Sequence, residues 1–247
     1  MSVQITSDCI LCGTCVSTCP SNALTLTDGR ILYTEDDCMH CGQCFAVCPA
    51  RAIRMFDCDP SIEFSPEYRK NVEICIQMRR SVRKFLPAPI DHETLLNLLN
   101  ETRFAPSAKN QRAVQFVVLG RHVLDEVAHL VAQIIWANPI YKKESVEKDD
   151  VVFRSAPQCV LAIAPKTAGT EDGIIALSTF ELLAQSQNIG TFWCGFLRRG
   201  IEASEEIRKI LGLPDELQVV AAMGVGHPDE DFKRPAARKP VPLQFVD

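Results

Sequence analysis

Eight of the twelve cysteines fall within the first 48 residues, and their spacing constrains the chain more than any other feature. Cys9, Cys12 and Cys15 stand at C-x₂-C-x₂-C spacing, followed after three residues by Cys19 and Pro20. Cys38, Cys41, Cys44 and Cys48 repeat the pattern, closed by Pro49. The offset is 29 residues (38 − 9), and Asp8/Asp37, Gly13/Gly42 and Ala23/Ala52 keep it, so the region is an internal duplication. Three thiolates at two-residue gaps let one tight loop wrap three corners of a 4Fe–4S cubane, and the fourth corner must come from elsewhere. C-x₂-C pairs also build tetrahedral zinc sites, but the x₃-C-P closure of both runs favours iron–sulfur chemistry.

The remaining 199 positions (247 − 48) carry only four cysteines, Cys58, Cys75, Cys159 and Cys194, which read as free thiols in a reducing compartment. A net charge of −5 gives no general attraction to nucleic acid or anionic lipid. The N-terminus has no basic region followed by an apolar run, and no stretch approaches the roughly 20 apolar residues of a membrane span. The expectation is a cytoplasmic protein with neither a nucleic-acid nor a membrane partner.

Short strands are predicted at Val3–Thr6, Leu24–Thr27, Ile31–Tyr33 and Ala52–Met55, with a turn at Asp28-Gly29. They define a first domain over 1–57, too small for a robust core of its own, followed by a Pro- and Ser-containing linker over 58–66. In the second domain, 67–247, helices are predicted at Glu67–Met78, from an Asp91 cap onward, at Arg121–Trp136, at Gly173–Asn188 and up to Gly212. Tyr68, Val72, Cys75 and Ile76 mark one face of the first. Strands are predicted at Gln115–Leu119, Cys159–Ala164 and Gln218–Val225, with Thr191–Leu197 as strand or loop. Gly173–Asn188 is nearly apolar around its circumference, the pattern of a buried helix. The tail, with Pro235, Pro240 and Pro242, reads as an extended arm.

Arg79, Arg80, Arg83 and Lys84 place four cations in six positions around Ser81, a composition that suits an oxyanion site and, taken alone, equally a solvated basic turn or a nucleic-acid patch. His40 and His227 read as a loop and a turn residue rather than as general bases. The cysteine region resembles the bacterial two-cluster ferredoxins, in which the last cysteine of each run ligates the other cluster. That resemblance implies one 4Fe–4S cluster on Cys9, Cys12, Cys15 and Cys48, and a second on Cys38, Cys41, Cys44 and Cys19.

The region after the linker resembles the nitroreductase family of FMN enzymes through four motifs in order. They are Arg79–Phe85 (R-x-S-x-R/K-x-F), Ala105–Asn110 (A-P-S-x-x-N), Gly190–Gly195 (G-x-x-x-x-G) and the basic-proline tail Arg238-Lys239-Pro240. The resemblance implies that Arg79, Arg80, Ser81 and Arg238 hold the FMN phosphate and that Arg83 lies near the pyrimidine edge of the ring. Pro106, Ser107 and Asn110 would contact FMN from the partner in an intertwined homodimer, and the backbone of Cys194 and Gly195 would face flavin N5. After Asn110 the chain reads Gln111-Arg112-Ala113-Val114 and lacks the Pro-Trp of many relatives.

The fold expected is α+β: a small duplicated ferredoxin-type domain followed by a nitroreductase-like mixed sheet wrapped by helices. The function expected is an FMN-dependent reductase that receives electrons through two 4Fe–4S clusters from an external donor, ferredoxin or NAD(P)H. It would reduce a small-molecule acceptor such as a nitroaromatic, quinone or enone. Two other readings are compatible with the residues: an NAD(P)H-fed nitroreductase with the clusters as exit, and a non-enzymatic electron-transfer or redox-sensing protein.

Overall fold

The structure is a computed structural model that describes residues 3–55, 68–138, 150–167, 169–229 and 241–246, with main chain only for residues 68–71. The chain divides into two compact units: Met1–Tyr68 with Lys109–Gln111, and Arg69–Ala108 with Arg112–Asp247. The expected linker, Cys58, the segment 139–149 and Arg238 lie outside the described residues.

The first unit builds each repeat as strand, cysteine loop, short helix and strand. The first repeat comprises β1 (Gln4–Ile5), α1 (Thr14–Ser17) and β2 (Leu24–Thr27). The second comprises β3 (Arg30–Tyr33), α2 (Gln43–Val47) and β4 (Ile53–Arg54). The pairing is crossed: β1 pairs antiparallel with β4, and β2 with β3, so each two-stranded ribbon takes one strand from each repeat. Asp28 and Gly29, both with positive φ (50° and 68°), form the two-residue turn of the β2–β3 hairpin. The core is small, with Val3, Leu24, Ile53 and Met55 packed against the buried Cys15 and Cys44.

The second unit opens with α3 (Tyr68–Met78) and α4 (His92–Glu101). Asp91 caps α4 by accepting from Thr94 N at 2.8 Å, as its sequence position predicts. Then follow β5 (Gln115–Gly120), α5 (Arg121–Trp136), β6 (Gln158–Pro165), α6 (Thr170–Ser186) and β7 (Gly190–Trp193). The chain continues through α7 (Gly195–Ala203), α8 (Glu205–Ile210) and β8 (Leu217–Gly226).

The strands form one sheet in the order β5-β6-β8-β7, antiparallel at every pair. The parallel component of the expected mixed sheet is the bridge Ser81↔Thr191 beside β7. Both faces of the sheet are covered, which explains why β6 is an unbroken apolar run rather than an alternating one. Cys159, Leu161 and Ile163 face a core that includes Leu124, Val127 and Val131 of α5 and Leu197 and Ile201 of α7. Val160, Ala162 and Ala164 face the other way, toward a core that includes Leu95 and Leu98 of α4 and Leu177, Phe180 and Ala184 of α6.

One expectation needs correcting. Gly195–Leu197 is the first turn of α7, not strand or loop. Leu197 and Ile201, four residues apart, turn inward together (0% and 1% exposed), and Gly200 lets the helix approach α5 closely. A Cβ at Gly200 would lie 2.8 Å from Val131 Cγ2. Glycines at both 195 and 200 hide this helical period in the sequence. On α3, Val72 and Ile76 of the marked face are 49% and 57% exposed.

Candidate cluster and flavin sites

The duplication in the sequence is also a duplication of backbone geometry. Leu11 and His40, Gly13 and Gly42, and Asn22 and Arg51 each lie 29 positions apart, and all six have positive φ between 49° and 74°. Only the two glycines adopt that conformation without a steric penalty. They are the N-caps of α1 and α2, where the chain must turn sharply so that the third cysteine of each run faces inward. The matching turns are closed by Asn22 N to Cys19 O at 3.4 Å and Arg51 N to Cys48 O at 3.1 Å.

The eight sulfurs line two hollows. Cys9, Cys12, Cys15 and Cys48 line the first, together with Ile5, Ile10, Ile31 and Ile53. Cys19, Cys38, Cys41 and Cys44 line the second, with Ser21, Tyr33 and Met39 among its walls. Among the described residues no three Cys, His, Asp or Glu side chains converge on a single-ion point. The quartets instead surround a space, as a polynuclear guest requires, and all eight thiols are unpaired. The residues present therefore fit 4Fe–4S clusters.

Hydrogen bonds reach the sulfurs from the loops. His40 N donates to Cys38 Sγ and Ala52 N to Cys48 Sγ, both at 3.3 Å, while the Thr14 hydroxyl lies 3.3 Å from Cys12 Sγ. It is the main chain of His40 that makes this contact. The Thr14 hydroxyl, followed by its main chain, holds the Cys12 thiol below the usual range. Burial instead raises Cys15, and raises Cys44 to about 11. All four thiols of a quartet lose their protons when metal binds, and burial opposes that most at the inner corner.

In the second unit the basic segment is stitched along β7. Ser81 bridges Thr191, and Val82 N donates to Thr191 O at 2.8 Å. The Arg83 guanidinium lies over the Phe192 ring at 5.8 Å. Arg79 Nη1 donates to Glu181 Oε1 at 2.9 Å, and Trp193 Nε1 donates to Glu181 Oε2 at 3.2 Å. Glu181, 3% exposed on α6, therefore ties the head of the basic segment to the end of β7. Cys194 and Gly195 follow directly. Cys194 N donates to Ala222 O at 2.8 Å and its thiol to Val152 O at 3.1 Å, so the N–H serves the sheet. Gly195 is exposed at the start of α7. Burial, followed by Cys194, pushes the neighbouring Cys159 thiol well above its ordinary range.

The Ala105–Asn110 loop is held separately. Both carboxylate oxygens of Asp172, 7% exposed in the first turn of α6, accept from Ala108 N at 3.0 and 3.1 Å. Ser107 Oγ accepts from Arg112 N at 3.1 Å. Pro106 is exposed, and Asn110 Nδ2 donates to Met39 O at 2.6 Å. Lys109, Asn110 and Arg112 all have positive φ, between 50° and 55°. For non-glycine residues that is an uncommon concentration of backbone strain, of the kind that gathers at ligand-binding loops. The basic segment and this loop are fastened to α6 nine residues apart (181 − 172), about 14 Å along the helix.

Asp172, Glu181 and Trp193 are the site residues that sequence reasoning missed. For Asp172 and Glu181 the signal was the presence of carboxylates inside an otherwise apolar helix, where a buried charge has to find a partner.

Residues 76–227 match the profile of the Nitroreductase family, and residues 8–79 match that of a 4Fe–4S dicluster domain. The chain belongs to the nitroreductase family, a family of oxidoreductases, and carries a ferredoxin-type 4Fe–4S domain at its N-terminus. It is 24% identical over 163 residues to the "Putative NADH dehydrogenase/NAD(P)H nitroreductase" of Archaeoglobus fulgidus, covering 65% of this chain and 88% of that one. It is 23% identical over 192 residues to 5,6-dimethylbenzimidazole synthase of Rhodospirillum rubrum, covering 70% and 89%. A crystal structure of a nitroreductase with bound FMN from Desulfitobacterium hafniense shares the fold, with a TM-score of 0.62 and 21% identity over 71% of this chain and 98% of that one.

Two outcomes follow from this geometry. Cys19→Ala is expected to damage the cluster of the second run while leaving that of the first. Iron content and Mössbauer spectra of anaerobically reconstituted protein check this, and a lesion confined to the Cys9–Cys15 cluster would contradict the crossed assignment. Arg79→Ala strands the buried Glu181 and is expected to cost about 1–3 kcal/mol, the range for an unsatisfied buried polar group. Adding Glu181→Gln should recover part of that loss in urea denaturation, because the amide still accepts from Trp193.

Proposed function

We propose that the chain is an FMN-dependent reductase whose two 4Fe–4S clusters receive single electrons from an external donor and deliver them to the flavin, for reduction of a small organic acceptor. The observation that carries this reading is the grouping of eight cysteines into two quartets on the same polypeptide as a nitroreductase domain. FMN, when bound, can collect electrons singly and release them in pairs as hydride, which clusters cannot do. Joining the two carriers in one chain removes the bimolecular encounter and raises their effective concentration to roughly millimolar.

The residues of the second unit support an anionic flavin cofactor. Arg79, Arg80 and Ser81 supply charged and neutral donors for a phosphate, with Arg238 assigned to the same role by its motif. Arg83 is positioned by Phe192 beside them, and Gly195 offers backbone at the end of β7. Glu181 fixes the direction of the Arg79 fork, leaving its remaining N–H groups for the ligand.

A homodimer completes the site in this reading. The loop of Pro106, Ser107 and Asn110 is anchored to the opposite part of α6 from the basic segment, as expected if it serves the cofactor held by the partner. Exposed apolar residues suit such an interface: Ile174 and Ile175 on α6, Val72 and Ile76 on α3, and Val241, Leu243 and Phe245 in the tail. Among the described residues no helix is long and apolar enough to cross a membrane.

Nitroaromatics, quinones and enones are the acceptor classes this chemistry accommodates. The name of the Archaeoglobus relative raises NAD(P)H as a direct donor, with the clusters as exit. Truncation before Glu67 separates the two routes. The truncated protein should remain a folded FMN dimer, lose turnover driven by reduced ferredoxin, and still be reoxidised by acceptor after chemical reduction. Undiminished turnover with reduced ferredoxin would overturn the proposed route, and full NAD(P)H-driven turnover in the truncated protein would favour the other.

A further inference from the structure

The two repeats provide an internal comparison of what surrounds each hollow. Donors to sulfur occur at both: the Thr14 hydroxyl and Ala52 N–H at the first, and the Ser21 hydroxyl, 3.7 Å from Cys19 Sγ, and His40 N–H at the second. Tyr33 breaks the symmetry. Its counterpart 29 positions earlier is Gln4, which is exposed on β1. Tyr33 lies on β3, paired in register with Leu24, and forms part of the wall of the second hollow. Its hydroxyl is shielded from solvent and makes no hydrogen bond within ordinary distance limits, and the Cys38 side chain is the group that faces it.

A phenol placed only to fill the core gains nothing from its oxygen and loses the hydration of that oxygen, so phenylalanine would serve better. The oxygen is accounted for if its acceptor is the guest of the hollow. We propose that the Tyr33 hydroxyl donates a hydrogen bond to the sulfur of the second cluster on its Cys38 side, and that this donor makes the second cluster the more easily reduced of the two.

The direction follows from charge. An added electron increases negative charge on the cluster sulfurs, and a donor stabilises that form more than the oxidised one. The first hollow, walled by Ile5, Ile10, Ile31 and Ile53, has no phenol in its wall. An electron entering at either cluster therefore settles on the second. This inference rests on the two-cluster reading above.

The test is a potentiometric titration of the full-length, anaerobically reconstituted protein, with the clusters followed by EPR. Wild type should show two cluster steps. Tyr33→Phe should move the upper step to more negative potential and leave the lower one in place, while Gln4→Leu moves neither. Replacing Tyr33 by 3-fluorotyrosine, nearly the same size but a stronger donor, should move the upper step the other way. This variant keeps the test decisive if the phenylalanine protein fails to assemble. Two steps that stay fixed in both Tyr33 variants, or a shift of the lower step alone, would overturn the role of Tyr33 while leaving the two-cluster reading intact. A wild type with a single four-iron complement would overturn both.

Discussion

The first unit is governed by the need to bring three sulfurs from one loop and a fourth from the other repeat around a common space. A domain of this size buries too little apolar surface to be robust alone, and its core is a handful of side chains packed against Cys15 and Cys44. Its regular structure serves the loops. Crossed pairing of β1 with β4 and β2 with β3 interleaves the repeats, and this brings the last cysteine of each run to the hollow of the other. Left-handed residues recur at the same repeat positions because each loop must make the same turn. Occupation of the hollows would then supply folding energy as well as redox chemistry.

The second unit depends on a different constraint, a sheet covered on both faces with α6 lying on one of them. The helix is apolar enough to be buried, yet it carries Asp172 and Glu181, each satisfied by a segment that the family motifs assign to the cofactor. Asp172 grips the Ala105–Asn110 loop and Glu181 grips Arg79 and Trp193. Buried carboxylates are costly unless paired, so these two fix the ends of otherwise irregular segments.

Much of this was legible in the sequence. The cysteine repeat has a spacing that few other sites share, the α5 stripe gave its helix to the residue, and the unbroken run Cys159–Ala164 lay within a strand buried on both sides. What was not legible depended on tertiary partners. Gly195 and Gly200 obscured α7, whose inward face is evident only once α5 is packed against it. The hydrogen bond of Cys194 N to Ala222 O requires the register of β8, which no local pattern encodes. Asp172 and Glu181 could have been flagged as charges in an apolar helix, but their partners lie 64 and 102 residues away along the chain.

The central claim is that electrons pass within one molecule from the cysteine-bound clusters to the flavin. Anaerobic stopped-flow mixing with a one-electron donor, following cluster and flavin absorbance separately, tests it most directly. Bleaching of the clusters should precede reduction of the flavin, and the second phase should be first order with a rate independent of protein concentration. Flavin reduction that comes before cluster bleaching, or whose rate rises in proportion to protein concentration, would contradict the account.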